Sequence, residues 1–144
     1  RLNAIIEQEK PFSYLVHCGD GVGDLHHVDL PDGTVVITVE GNTDAGKVVG
    51  HESVTVEEIG KCRIMVTHGH EYDVKDGMED LIRHGGSLGA EIIFFGHTHA
   101  QMLRHEEAVL FNPGPASRGY YGVVELNGSA RYYLRRLRES SFTD

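Results

Sequence analysis

The sequence predicts a mixed α/β (α+β) fold of two packed sheets with helices outside, and three observations carry that prediction. Short apolar runs rich in β-branched residues recur along the chain. They alternate with helical patterns in the first half and succeed one another without helices in the second. Most of them end at a glycine. A single doubly wound parallel sheet would keep alternating to the end.

Taken in order, Leu2, Ile5 and Ile6 share one face of a first helix, which Pro11 ends. SYLVHC at 13–18 reads as a buried strand closed by Gly19, and TVVITVE at 34–40 as a second closed by Gly41. HESVTVEEI and KCRIMVTH, separated at Gly60, predict a hairpin. VKDGMEDLIRH at 74–84 predicts a helix with Met78, Leu81 and Ile82 on one side. Gly85-Gly86-Ser87-Leu88-Gly89 matches the G-x-S-x-G of serine hydrolases, but it leaves a helix and enters a strand, the reverse of their strand-to-helix elbow, so it reads as a helix stop. EIIFFG at 91–96 is another buried strand. EAVLFNPG, YYGVVELNG and ARYYLRRL come next, the last two joined by a turn at Asn127-Gly128. That turn also explains the N-x-S at Asn127 without glycosylation.

At 144 residues, 40% of them hydrophobic, with no repeat or linker, residues 1–144 are expected to form one domain. A formal charge of −9 argues against affinity through nucleic-acid phosphates. Arg131 and Arg135, on one face of the late basic run, read as local compensation of that acidic surface. No apolar stretch approaches the roughly 18 residues of a membrane span, so no membrane partner and a cytoplasmic location are expected. Cys18 and Cys62 form no C-x-x-C pair and read as buried thiols. Self-association into a homo-oligomer is left open.

The residues just past each strand are more informative. Asp20 stands after the first, Asn42-Thr43-Asp44 after the second, His68-Gly69-His70 after the hairpin, and His97-Thr98-His99 after the strand EIIFF. In α/β architectures ligands bind beyond the carboxyl ends of strands, where distant residues converge. Of ten histidines in the chain, four lie in these loops. If the chain stays extended after Gly96, His97 and His99 point the same way. A mixed His/Asp/Asn donor set suits Mn, Fe, Zn or Ni. His26 and His27, in a separate loop, read as ordinary exposed residues.

Asp20 in CGD, GNTD at 41–44, THGH at 67–70, GHTH at 96–99 and FNPG at 111–114 resemble the calcineurin-like metallophosphoesterases, in particular their small bacterial and archaeal phosphodiesterase branch. The resemblance covers nearly the whole chain. It implies a four-layer α/β/β/α sandwich and two divalent transition metals, manganese foremost, with nickel, iron or zinc as alternatives. It further implies hydrolysis of a small phosphodiester substrate by a metal-bridging hydroxide. Carried over position by position, it makes Asp20 the carboxylate bridging the metals. Asn42, His68 and His97 complete one metal site, and His99 contributes to the other.

Asp20, Asn42, His68 and His97 are therefore the candidate catalytic residues, and Asn42, His70, Asn112 and Arg118 the candidate substrate contacts. His70 either contacts phosphate or hydrogen-bonds beneath it. Arg118 either meets phosphate or is a solvated loop charge. Asp44 is expected to orient its loop or a neighbouring histidine.

Three positions depart from the family pattern. The first family motif, D-x-H at the end of a first strand, is missing, and the chain opens at Arg1 within a helical pattern. A short upstream segment carrying that strand is expected. Thr43 stands where many members have histidine, or cysteine in the small branch, and a threonine hydroxyl is a poor proton donor. Pro115 stands where serine is common. The competing class is a protein-interaction scaffold on this fold, such as the retromer small subunit. A structural single-metal domain ranks below both, because Asp20, Asn42 and paired histidines are not the closed four-ligand set such sites use.

Overall fold

The computed structural model describes residues 2–19, 29–39, 47–49, 53–69, 77–98 and 100–137. These form two helices and ten strands: α1 (Leu2–Glu9), β1 (Tyr14–His17), β2 (Val35–Thr38), β3 (Lys47–Val49), β4 (Val54–Ile59), β5 (Cys62–Thr67), α2 (Glu79–Ser87), β6 (Ile92–Phe94), β7 (Met102–His105), β8 (Val109–Asn112), β9 (Tyr120–Asn127) and β10 (Ser129–Arg136). A 3₁₀ turn at Ala116–Arg118 precedes β9.

One sheet has the order β1-β2-β3, all parallel; another has the order β4-β5-β6-β8-β7; β9 and β10 form an antiparallel hairpin. In the five-stranded sheet β5, β6 and β8 run parallel, while β4 and β7 lie antiparallel on its two edges. Side-chain alternation along the central strands divides the core in two. Ile64, Val66, Ile92 and Phe94 face inward with Ile37, Val39 and Phe111, and the hairpin closes this cluster with Val124, Leu126, Tyr132 and Leu134. Met65, Ile93 and Phe95 face outward against Leu81 and Met78 at α2. On the opposite outer side Ile5 of α1 packs on Tyr121 and Leu137. The layers are therefore α2, the five-stranded sheet, an inner layer of β1–β3 with the hairpin, and α1. Each fully buried large apolar side chain, Phe95 or Leu81 for example, contributes about 1.5–3 kcal/mol through burial.

The expected hairpin forms, with Ile59 opposite Cys62, and β9 and β10 turn at Gly128. Two strands, β3 and β7, were not expected. The second helix was expected at 74–84; it begins at Glu79 and runs on through Gly85 and Gly86 to Ser87, residues 70–76 lying outside the described set. The glycine-rich segment does stop the helix, as expected, though Gly85 and Gly86 still belong to its last turn: Leu88 caps it, and Gly89 follows at φ +74°, its amide donating to the Gly86 carbonyl at 3.1 Å while that of Ala90 donates to Gly85 at 3.0 Å. Gly85 is there because a Cβ would overlap Cδ1 of Ile93 on the sheet beneath. The two cysteines are only partly buried rather than fully enclosed, and neither is in a disulfide. Among the described residues no helix is long and apolar enough to cross a membrane.

A polar tie fastens α1 to the hairpin. Arg135 Nη1 contacts both carboxylate oxygens of Glu9 at 2.8 and 2.7 Å, and the Tyr121 hydroxyl donates to the same carboxylate. Burial pushes the Glu9 carboxyl upward, but the Tyr121 hydrogen bond and the Arg135 guanidinium outweigh it and hold the group below its ordinary value. Arg135 thus does compensate local negative charge, as expected.

Candidate metal centre

Four strand ends meet at one place. β1 runs into Cys18-Gly19, β5 into His68, β6 into Phe95-Gly96-His97, and β8 ends at Asn112. Because β5, β6 and β8 are parallel, their carboxyl ends lie on the same edge of the sheet. The shared inner core brings the end of β1 beside them.

His68 is 5% exposed, and its Nδ1 lies 3.0 Å from the carbonyl oxygen of Cys18. A carbonyl can only accept, so Nδ1 carries the proton and donates. In the neutral ring that leaves Nε2 with a lone pair. Gly19 makes this approach feasible: its φ is +90°, and a Cβ there would sit 2.8 Å from Nδ1 of His68. The amide of Gly96 donates to the carbonyl of His68 at 3.0 Å, which ties the ends of β5 and β6. Burial pushes the Cys18 thiol up to about 12, although part of the residue remains accessible. At neutral pH the sulfur is protonated, and Cys18 serves through its carbonyl.

His97 faces His68. Nδ1 of His97 is 3.2 Å from Nε2 of His68, and the rings meet edge to face with centroids 5.0 Å apart. The expectation that the chain stays extended after Gly96 is not met. His97 has φ 71°, and the amide of Thr98 donates to the carbonyl of Gly96 at 2.8 Å, closing a γ-turn with His97 at its centre. The turn, rather than strand alternation, aims this imidazole.

The separation of the two nitrogens tests whether the pair can share a cation. Two metal–nitrogen bonds of 2.0–2.1 Å at tetrahedral or octahedral angles place their nitrogens about 2.9–3.4 Å apart. The observed 3.2 Å fits, and the tautomer of His68 presents the lone pair that a ligand needs. Among the described residues no three His, Cys, Asp or Glu side chains gather. Asp20, Asn42, His70 and His99 lie outside the described residues, as do Thr43, Asp44, His26 and His27.

Asn112 is 1% exposed, and its amide is taken up by the loop beside it. Nδ2 donates to Thr98 Oγ1 at 2.9 Å and reaches the Gly96 carbonyl at 3.4 Å; Oδ1 accepts from the amide of Gly114 at 2.9 Å. Arg118 ends the 3₁₀ turn, exposed, with no side-chain hydrogen bond or ion pair to a described residue. Two contributors went unnoticed in the sequence. The Cys18 carbonyl is a backbone group and leaves no signature in residue type. Thr98 could have been found from its place between two histidines.

A sequence model described as the calcineurin-like phosphoesterase superfamily domain matches residues 1–128. The chain is 33% identical over 110 residues to a probable metallophosphoesterase, YsnB, of Bacillus subtilis strain 168. The match takes in 74% of this chain and 60% of that protein, so the chain spans about three fifths of its relative's length. Among solved structures, an archaeal phosphodiesterase superposes with a TM-score of 0.60 at 18% identity, over 92% of this chain and 88% of that one. Vps29 from Entamoeba histolytica, complexed with zinc, superposes with a TM-score of 0.59 at 20% identity, over 86% and 82%. These two likenesses establish the shared fold. With 128 residues of the chain matched by the family and its strand ends converging on paired histidines, the chain belongs to the calcineurin-like phosphoesterase superfamily.

Proposed function

We propose that this domain is a metal-dependent phosphodiesterase acting on small phosphodiesters. His68 and His97 would hold one divalent cation together with Asp20 and Asn42, while Asp20 and His99 would serve a second. The observation that carries the reading is the pair of imidazole nitrogens 3.2 Å apart, one of them kept as a lone pair by the Cys18 carbonyl. The chain passes directly from Gly19 into Asp20 and from Thr98 into His99, the residues assigned to the second cation. Manganese is the first choice for this mixed nitrogen and oxygen set, and nickel, iron or zinc accept the same donors.

Such cations, when bound, lower the pKa of water and neutralise charge on phosphate oxygens. The chain's own groups position and exclude. The Cys18 carbonyl fixes the His68 ring, and Val66, Phe94 and Phe111 form an apolar floor that strengthens every charge interaction above it. Arg118 and His70 are the proposed phosphate contacts, and the exposed Arg118 guanidinium offers a two-pronged donor suited to phosphate oxygens. With Thr43 where many family members carry histidine or cysteine, that position offers only a poor proton donor, so either another group protonates the leaving oxygen or the substrate is a diester whose leaving group needs little help.

The test is hydrolysis of bis(p-nitrophenyl) phosphate by the manganese-loaded whole protein, with Asp20→Ala and His97→Ala beside it. The reading expects turnover by the wild type and its loss in both variants. A loaded wild type that leaves the diester intact would move the assignment to an interaction scaffold on the same fold.

A further inference from the structure

Among the described residues, the Asn112 side chain grips the γ-turn that carries His97. A positive φ at a non-glycine residue persists only where its surroundings impose it. Here the two residues flanking His97 are gripped by the same amide: Asn112 Nδ2 donates to Thr98 Oγ1 at 2.9 Å and approaches the Gly96 carbonyl at 3.4 Å. The orientation of that amide is itself fixed. The amide of Gly114 can only donate, so the atom facing it is Oδ1, and Nδ2 must face the turn. Asn112 in turn is placed by the parallel ladder of β6 and β8, in which Phe94 stands opposite Phe111 and the Phe95 amide donates to the Phe111 carbonyl at 3.1 Å.

We propose that Asn112 is a positioning residue for His97. It clamps both ends of the strained turn so that Nδ1 of His97 stays aimed at Nε2 of His68. The inference rests on the proposed metal role of these histidines, and it replaces direct phosphate contact as the role of Asn112, whose amide is buried and committed to the turn. Residues that orient metal ligands in this way affect affinity about 10- to 100-fold when removed.

The experiment uses Thr98→Val, which keeps the shape of the side chain and removes the acceptor, Thr98→Ser, which restores the oxygen, and Asn112→Ala. Two readouts are taken on the whole protein: Mn2+ affinity by calorimetry, and the imidazole nitrogen resonances of His68 and His97 without metal. Thr98→Val and Asn112→Ala are expected to weaken Mn2+ binding about 10- to 100-fold and to shift the His97 ring resonances. Thr98→Ser is expected to recover both. If Asn112→Ala fails to fold, the valine and serine variants decide the matter, because a merely structural role would not separate them. Valine and serine variants that behave alike in both readouts would overturn the proposal. A wild type that binds no Mn2+ would sink the metal reading instead, and the metal-free ring resonances would still judge the clamp.

Discussion

Replacing Gly19 by alanine puts a methyl group 2.8 Å from Nδ1 of His68, closer than real contacts allow, on a backbone at φ +90°. The left-handed conformation alone costs an L-residue roughly 1–2 kcal/mol. Either the backbone or the imidazole must shift, and if the ring gives way its hydrogen bond to the Cys18 carbonyl is lost, at about 0.5–1.5 kcal/mol net. Together the loss is about 1.5–3.5 kcal/mol, which for a domain of this size lowers the melting temperature by about 5–12 °C. The larger effect should be on metal affinity, because a tilted His68 no longer presents Nε2 beside His97. Thermal melting by circular dichroism and Mn2+ calorimetry on the same sample measure both. Gly19→Ala with wild-type melting and wild-type affinity would refute the reasoning that Gly19 exists to admit His68.

Gly85→Ala pits two effects against each other: alanine gains about 1 kcal/mol of helix propensity, whereas overpacking costs about 1–3 kcal/mol. Because the added Cβ would overlap Cδ1 of the fully buried Ile93, destabilisation should win in urea unfolding, and adding Ile93→Val should relieve it. Glu9 gives a pH signature. Its folded pKa lies below the unfolded value, so the tie to Tyr121 and Arg135 contributes fully above the ordinary carboxylate range and is lost as pH falls through the folded pKa. Acid unfolding curves should show that Glu9→Gln removes this part of the pH dependence, and an unchanged acid limb would contradict it.

Much of the fold could be read from sequence because the central strands are dense in Val, Ile and Phe and buried on both faces. What escaped was what lacks that signature. β7, MLRH, is an edge strand exposed over three of its four residues, and β3 is three residues long; neither needs a hydrophobic run to pair. The second helix was displaced because Gly85 and Gly86 look like breakers, and only the packing against Ile93 explains a glycine inside it. His68 and His97 were legible as ligand types after apolar strands. The way they meet was not, since a positive φ at His97 cannot be seen in a histidine, and the Cys18 carbonyl is invisible in any side chain.

The most direct test is nitrogen-resolved NMR of the two imidazole rings during titration of the whole protein with Zn2+, a diamagnetic stand-in for manganese. The account predicts that His68 Nε2 and His97 Nδ1 shift together, with one shared saturation point, while His68 Nδ1 keeps its proton. Rings that titrate independently, or a His68 that responds through Nδ1, would contradict it.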